Sequence, residues 1–239
     1  MAEAENTNGQ STKLDELFNV GAHFGYQRTR RHPSVKPYIF GSKNRVDIID
    51  LEKTEALLDK AKEFVTTLGR EKKQLLFVGT KPEARAAVQA AAERLGMPYV
   101  IERWVGGTFT NFPEIRKRLE RYQDFAKKKE EGSLDVYTKK ERLLIDREME
   151  ELNKNFGGLM SVKGLPAAMF VVDSRNEMIA VEEAVKMRVP VVSLSNSDCD
   201  VSMIAHPVVG NDSAIASIAY FVAAIADAYE AGANETIVA

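Results

Sequence analysis

The sequence predicts an α/β protein with a doubly wound parallel sheet, into which an antiparallel coiled-coil hairpin of two helices is inserted. Short apolar runs typical of buried strands alternate with longer amphipathic segments typical of helices, both before and after the middle of the chain. In the middle, the apolar positions narrow to single stripes on two highly charged segments. We therefore divide the 239 residues into a disordered tail over 1–12, an α/β domain over 13–111 and 157–232, and a hairpin over 112–156.

The predicted elements before the hairpin begin with a short helix that carries Leu14, Leu17 and Phe18 on one face and ends at Gly21. After it we predict strands over 46–50, 74–79 and 98–102, and helices over 52–68 and 82–96. Beyond the hairpin we predict strands over 167–173 and 189–194, a short strand over 207–209, a helix over 177–187, and a last helix capped by Asp212 or Ser213. Strands that alternate with helices require crossover connections, which favour a parallel sheet.

The hairpin is predicted from the spacing of its apolar residues. One seam comprises Ile115, Leu119, Tyr122 and Phe125, and the other comprises Ile145, Met149, Leu152 and Phe156. The segment over 132–138 separates the two seams. Two helices packed flat on the sheet are the alternative, but they would need wider apolar faces than these.

Composition limits the class of protein. The chain is 44% hydrophobic, which is enough for a full core. No apolar run approaches the roughly 18 residues of a membrane-spanning helix, and the polar N-terminus does not resemble a signal peptide. Cys199 is the only cysteine, so an internal disulfide is excluded and a reducing compartment is favoured. We expect a cytoplasmic protein without membrane association.

Charge is segregated along the chain, although the net charge is only −2. Residues 22–46 contain six basic residues and no acidic one, and residues 116–147 have a net charge of +4. Residues 148–239 have a net charge of −8. This pattern predicts a polyanionic partner for the basic segments, and protein or solvent around the acidic end.

The first basic segment, over 22–45, is long and rich in aromatic residues, which favours an ordered, extended conformation. Pro33 adds to this expectation, because proline disfavours helix in the residue before it. Its candidate RNA-binding residues are Arg28, Arg30, Arg31, Lys36, Lys43 and Arg45. Guanidinium and ammonium groups in such a segment suit phosphate contacts.

The second basic stretch runs from Arg103 to Arg121 and contains the only tryptophan, Trp104, and the Gly106–Gly107 pair. Flat aromatic faces beside basic side chains suit contacts with sugars, bases and phosphates. Trp104, Phe109 and Phe112 could equally be core residues of the adjoining sheet. For the basic residues Arg116, Lys117, Arg118 and Arg121, the alternative to binding is a solvated helix face.

Motifs for catalysis, nucleotides or metals are weak. The turn over 77–82 lacks both glycine-rich nucleotide fingerprints. The acids Asp50, Asp173 and Asp198 follow predicted strands, where ligand sites occur, but acids there commonly cap the next helix. Asp198, Cys199, Asp200 and His206 are metal-ligand types without a zinc spacing. No catalytic triad or carboxylate pair can be assembled, so an enzyme is not predicted.

Several blocks occur in a recognisable order over about residues 13 to 231: HFGYQ, HPSVKPYIFG, IIDLEKT, LLFVGTK, RWVGGTFTNF with IRKRL, LPAAMFVVD, and PVVSLSNSDCD with HPVVGNDSAI. Together they resemble bacterial small-subunit ribosomal protein number two, the uS2 family. The most specific block is RWVGGTFTNF. Through this block the resemblance adds Arg103, Trp104, Thr108 and Asn111 to the candidate RNA-binding residues.

The resemblance implies a Rossmann-like α/β domain with a protruding helical hairpin. It also implies a structural, non-catalytic role in the small subunit, bound to 16S rRNA between head and body. The implied protein partners are other small-subunit proteins, including the large messenger-binding first protein; no cofactor, metal or homo-oligomer is implied. A Rossmann-like sugar-phosphate or nucleotide-binding enzyme is the alternative.

The sequence departs from the family pattern at a few positions. Tyr26 stands where the family usually has histidine. Asn196, Ser202 and Ala205 replace frequent acids, and His206 replaces an aromatic residue. These departures leave open whether the region from Asp198 to His206 binds any ion.

Overall fold

The computed structural model describes residues 13–133, 137–162 and 164–235, so the predicted tail over 1–12 lies outside the described residues. The helices are α1 over residues 13–19, α2 Leu51–Arg70, α3 Pro82–Leu95, α4 Phe112–Glu130, α5 Lys139–Phe156, α6 Met178–Lys186 and α7 Ile215–Glu235. The strands are β1 Phe24–Gln27, β2 Ile39–Lys43, β3 Val46–Ile49, β4 Leu75–Val78, β5 Tyr99–Val100, β6 Ala168–Val172, β7 Val191–Ser195 and β8 His206–Val209.

Five strands form a parallel sheet in the order β5-β4-β6-β7-β8. The chain leaves β4 toward one edge and returns to build the other, so the order switches between β4 and β6. This confirms the predicted α/β fold with a Rossmann-like parallel sheet.

The strand predicted over 46–50 exists, but the prediction that it belongs to the parallel sheet was wrong. β3 pairs antiparallel with both β1 and β2 in a separate three-stranded sheet of order β1-β3-β2. The basic segment therefore supplies two strands that flank β3. Pro33 and Pro37 interrupt this segment and its apolar residues do not alternate, so the sequence carried no strand signal there.

The parallel sheet is buried on both faces. One face packs against α2, α3 and α7 through a cluster that includes Phe77, Phe170, Leu58, Val88 and Phe221. The other face packs against α6 and the roots of α4 and α5 through a second cluster that includes Met169, Val171, Ala180, Ile115 and Phe156. Alternate residues of β4 and β6 enter opposite clusters, as the period of a strand requires.

Helix α7 is long and apolar enough to cross a membrane, judged by length and composition alone. However, its residues Ile218, Phe221 and Ile225 are buried in the first cluster, and half of its most apolar window lies inside the protein. At its crossing with α2, Gly69 and Gly232 allow the two backbones to approach closely. Helix α7 is therefore a core helix of the α/β domain.

Helices α4 and α5 follow β5 and precede β6, and they lie side by side with opposite directions. Arg121 pairs with Glu148 at 2.8 Å, and Lys129 pairs with Asp146 at 2.7 Å. Only the root of the seam is buried, by Ile115, Leu119 and Phe156. The predicted helical pair is present, and its coiled-coil geometry remains a prediction.

Candidate nucleic-acid interface

The first basic cluster lies at one end of the three-stranded sheet. The turn between β2 and β3 places Asn44 and Arg45 at φ of 52° and 66°, the left-handed combination of a two-residue hairpin turn. The backbone N–H of Arg28 donates to the carbonyl of Arg45 at 2.9 Å, which brings the end of β1 to the same place. Arg28, Lys43 and Arg45 are all exposed. Three cations therefore project from one tip.

The sequence predicted an extended chain after β1, and this prediction was wrong. The chain instead forms a 3-10 turn over Arg28–Arg30 and a second over Pro33–Tyr38. Pro33 constrains only its immediate neighbour, His32, which is extended with φ −78° and ψ 141°. Residues further back are free to turn. Lys36 is exposed on the second turn, which buries Val35 beneath it.

Arg30 and Arg31 are both engaged by acids. Arg30 stacks over Tyr26 at 4.6 Å and pairs at 3.2 Å with Asp198, which Arg175 also contacts at 2.7 Å. Arg31 pairs at 3.4 Å with Asp47, whose side chain is fully buried. The side chain of Arg30 is 52% exposed and that of Arg31 only 20%. Arg30 can thus still reach a ligand, whereas Arg31 neutralises a buried carboxylate.

The loop between β5 and α4 is held by one carboxylate, that of Glu183 on α6. Its Oε1 accepts the backbone N–H of Gly107 at 2.7 Å and Trp104 Nε1 at 3.4 Å. Its Oε2 accepts the backbone N–H groups of Phe109 at 2.9 Å and Thr110 at 3.2 Å, with the Thr110 hydroxyl at 3.3 Å. Burial alone would raise the pKa of Glu183, but these donors outweigh burial and hold the pKa below its usual value.

This arrangement separates the candidate residues of the loop into two groups. Trp104 and Thr108 are both buried. The ring of Trp104 packs edge-on against that of Phe109, and the hydroxyl of Thr108 donates to the Val105 carbonyl. Arg103 and Asn111, at the two ends of the loop, are exposed. Trp104 and Thr108 therefore stabilise the loop from inside the protein. For Trp104 this is the alternative considered above, in which the aromatic residues belong to the core.

The candidate residues of α4 form an exposed basic face near its root. Arg116 pairs with Glu120 and Lys117 with Glu114, both within one helical turn, while Arg121 pairs across to α5. Arg118 lies over the ring of Phe156 at 5.9 Å. Exposed ion pairs of this kind contribute little to stability.

The second core cluster connects all three basic elements. It contains Val35 from the basic segment, Trp104 and Phe109 from the loop, and Ile115 and Leu119 from α4. The turn over Pro33–Tyr38, the loop and the root of α4 therefore pack together on this face, whereas Ala22, at the start of the basic segment, belongs to the cluster on the other face. The sequence separates Val35 from Trp104 by about seventy residues, and the fold packs both in one cluster.

The crevice where parallel α/β sheets usually bind ligands is filled by the chain's own side chains. At the carboxyl ends of β4 and β6, Lys81 Nζ lies 2.5 Å from Asp173 and 3.1 Å from Asp212. Burial favours the neutral amine, but the two carboxylates outweigh it and raise the pKa of Lys81 above its usual value. Beside this group, Glu177 accepts hydrogen bonds from Thr80 and Asn176.

The residues considered as metal ligands do not meet. Asp198 faces two arginines, the exposed Asp200 accepts from Ser202, and His206 stacks on Phe64 at a centroid distance of 4.2 Å. Cys199 instead lies with Asp173 and Asp212, within 4.8 Å of each other, where Lys81 already supplies the positive charge. Asp50 caps α2 by accepting from the Lys53 N–H, as the capping alternative predicted.

Sequence reasoning missed Glu183, Lys81 and Asp47. Glu183 carried a usable signal, because it interrupts the apolar stripe of Ala180, Val181 and Ala184 on α6. An acid in a buried stripe must find donors. Asp47 and Lys81 carried no comparable signal, because their partners come from distant parts of the chain.

The fold defines an α/β protein with a Rossmann-like parallel sheet, exposed basic residues in two stretches of the chain, and Lys81 filling the place between the carboxyl ends of β4 and β6. A family model described as "Ribosomal protein S2" matches residues 17–232. The chain belongs to the ribosomal protein S2 family, as the sequence resemblance indicated.

Curated relatives agree with the family match. The chain is 44% identical over 216 residues to the small ribosomal subunit protein uS2 of Chloroherpeton thalassium, covering 90% of this chain and 86% of the relative. It is 42% identical to the proteins of the same name from Chlorobium phaeobacteroides and Sorangium cellulosum. These cover 90% and 92% of this chain, and 85% and 80% of the respective relatives.

Proposed function

We propose that the protein is a structural, non-enzymatic constituent of the small ribosomal subunit, where it binds 16S rRNA and neighbouring proteins in cytoplasmic ribosomes. The observation that carries this proposal is that one core cluster packs the turn over Pro33–Tyr38, the loop over 103–111 and the root of α4, all of which bear exposed cations. The names of the relatives at 41–44% identity support it independently.

The rRNA contacts come from exposed cations and one exposed amide. These residues are Arg28, Arg30, Lys36, Lys43, Arg45, Arg103, Asn111, Arg116, Lys117, Arg118 and Arg121. Arg31, Trp104 and Thr108 act from inside the protein, by holding the basic segment and the loop in shape. This division follows from exposure, because phosphate contacts need a side chain that reaches the surface.

A second surface suits a protein partner. Phe18, Phe24 and Phe40 are 59%, 53% and 79% exposed, and Phe18 and Phe24 both contact the ring of His23. A cleft of about 400 Å³ between Phe18 and Phe40 is also lined by Asp15, Asp50 and Glu52. Acids at its rim disfavour RNA and favour a segment with apolar and basic side chains.

The partner that the resemblance implies for such a surface is the large messenger-binding first protein of the subunit. Replacing Phe40 by Ser should abolish its co-purification with the protein and leave rRNA binding unchanged. The exposed Leu165, replaced in the same way, is the matched control. Undiminished co-purification of the first protein with the Phe40 variant would contradict this assignment.

The enzyme alternative requires an open crevice at the carboxyl ends of β4 and β6. Lys81, Asp173, Asp212, Thr80 and Glu177 fill this place with mutual ion pairs and hydrogen bonds. A phosphate would have to displace Lys81 from two carboxylates and then face both of them. Electrostatic repulsion therefore disfavours a sugar-phosphate or nucleotide there.

The direct test of the proposal is co-sedimentation with small ribosomal subunits in a density gradient. The tagged wild-type chain should sediment with the subunits and leave them at high salt. The variant with Arg28, Lys43 and Arg45 replaced by Ala should associate less well than a control that loses Lys60, Lys62 and Lys72 on the opposite side. Failure of the wild-type chain to sediment with subunits would overturn the proposal.

A further inference from the structure

We propose that Glu183 is a positioning residue for rRNA binding. Its buried carboxylate fixes the loop over 103–111 and thereby sets the direction in which α4 and α5 leave the domain. This inference rests on the proposed function, because it concerns how the same RNA-binding surface is arranged.

The loop contains no strand or helix of its own. Over residues 103–111 it forms only turns, and Gly107 adopts φ of 94°, which most other residues disfavour. The N–H groups of Gly107, Phe109 and Thr110 converge on one carboxylate, whose residue is only 6% exposed. Charge-assisted bonds to a buried acceptor are the strong class of hydrogen bond. The carboxylate of one residue outside the loop thus binds three of its backbone N–H groups.

The loop leads directly into the basic surface. Asn111 is the last residue before α4, and Arg103 lies at the other end of the loop. Phe109 packs with Trp104 at 5.1 Å, in the cluster that also holds Ile115 and Leu119 of α4. Any rearrangement of residues 107–110 therefore moves the root of α4 and the cations on its first two turns.

The length of the hairpin amplifies such a movement. Helix α4 has 19 residues, which at the rise of an α-helix corresponds to about 28 Å. A rotation of about 10° at the root displaces Arg121, about 14 Å along the helix, by about 2 Å, which is enough to break a phosphate contact. At the other root, Gly158 already lies against the Tyr99 backbone, where an added Cβ would come within 2.2 Å of the carbonyl oxygen. The end of α5 is thus held by a backbone contact, whereas the loop before α4 is held by the side chain of Glu183.

The decisive variant is Glu183→Gln, which keeps the shape of the side chain and presents an N–H₂ group to some of the same donors. The matched control is Glu182→Gln, which removes the same charge from the neighbouring residue, on the side of α6 that faces Arg30 and Arg175. If Glu183→Gln does not fold, the double variant Trp104→Phe, Thr110→Val removes two donors from the loop instead. This second variant leaves α6 untouched.

Three measurements separate positioning from plain stability. We expect amide exchange at Gly107, Phe109 and Thr110 to accelerate in Glu183→Gln at a temperature where the rest of the protein stays folded. We expect the distance distribution between spin labels at Ser133→Cys and Lys60→Cys to broaden; Cys199 is buried and stays unlabelled. We expect 16S rRNA affinity to fall about tenfold or more, because a displaced cation of α4 would lose its charge-assisted bond to a phosphate. Glu182→Gln should match wild type in amide exchange and in label distances.

The outcomes discriminate the two proposals. If Glu183→Gln lowers the melting temperature but keeps the wild-type distance distribution and rRNA affinity, Glu183 is structural only and the inference is overturned. If the wild-type chain itself does not bind 16S rRNA, the proposed function fails, and the label distances still report whether Glu183 sets the hairpin direction. Broadened distances with unchanged rRNA affinity would also overturn the role in RNA binding.

Discussion

At the residue scale, neighbouring residues of one type have different roles because their partners differ. Arg28, Arg30 and Arg31 lie within four positions, yet only Arg31 pairs with a fully buried carboxylate, that of Asp47. The sequence predicted all three as candidate RNA-binding residues, of which two would reach phosphates at once. The sequence could not reveal the pairing of Arg31 with Asp47, because the burial of Asp47 depends on the sheet that β3 joins.

Replacing Arg31 by Ala should destabilise the protein by about 3 kcal/mol, because the buried Asp47 carboxylate loses its counter-charge. Replacing the exposed Arg28 by Ala should change stability by no more than about 0.5 kcal/mol. Chemical denaturation of both variants measures the difference. Equal stability of the two would show that the Arg31–Asp47 pair contributes nothing.

Cys199 should act as a reporter of unfolding. Burial, with the charges of Asp173 and Asp212, raises the pKa of its thiol to about 12, so at pH 8 the folded protein contains almost no thiolate. We expect thiol reagents to modify Cys199 only as the protein unfolds in denaturant. Rapid modification of the native protein at pH 8 would mean that the loop after β7 opens separately.

At the element scale, the sequence predicted most helices and the strands of the parallel sheet, because continuous apolar runs and helical periods are local signals. It failed for β1 and β2, which are short, are separated by a segment that contains Pro33 and Pro37, and are stabilised by pairing with β3. It also failed for the loop over 103–111. That loop takes its shape from Glu183, more than seventy residues away in the chain.

Replacing Gly69 by Ala should disrupt the crossing of α2 and α7. A Cβ at this position would lie 2.2 Å from the Tyr229 carbonyl oxygen, so the backbones must separate. We expect a loss of about 3 kcal/mol or more in the free energy of unfolding, at the upper end of overpacking. Gly41→Ala is the control, since a Cβ there meets no atom within 4 Å. Similar melting temperatures for the two variants would contradict the close crossing.

Removing the outer part of the hairpin should leave a folded α/β domain. The buried seam ends with Leu119 and Phe156, so a deletion of residues 123–149, closed by a short glycine-rich turn, keeps both. We expect cooperative thermal unfolding and a helical signal reduced in proportion to the residues removed. Loss of cooperativity would show that the hairpin is part of the folding unit and not an insertion.

At the scale of the whole molecule, the second basic stretch and the last helix lie on opposite faces of the parallel sheet. The loop over 103–111 and the root of α4 pack on one face, while α2, α3 and α7 cover the other. Cross-links to rRNA should therefore cluster before Arg147 and spare residues 215–229 of α7. Dense cross-links on α7 would contradict this orientation.

The most direct test of the central claim is the salt dependence of binding to a 16S rRNA fragment. Each basic side chain that no longer neutralises a phosphate reduces the slope of log affinity against log salt by about 0.7–0.9, so replacing Arg28, Lys43 and Arg45 by Ala should flatten it by about 2 units. The control variant without Lys60, Lys62 and Lys72 should keep the wild-type slope. Equal flattening in both variants, or an unchanged slope in the first, would contradict the claim that the basic tip of the three-stranded sheet binds rRNA.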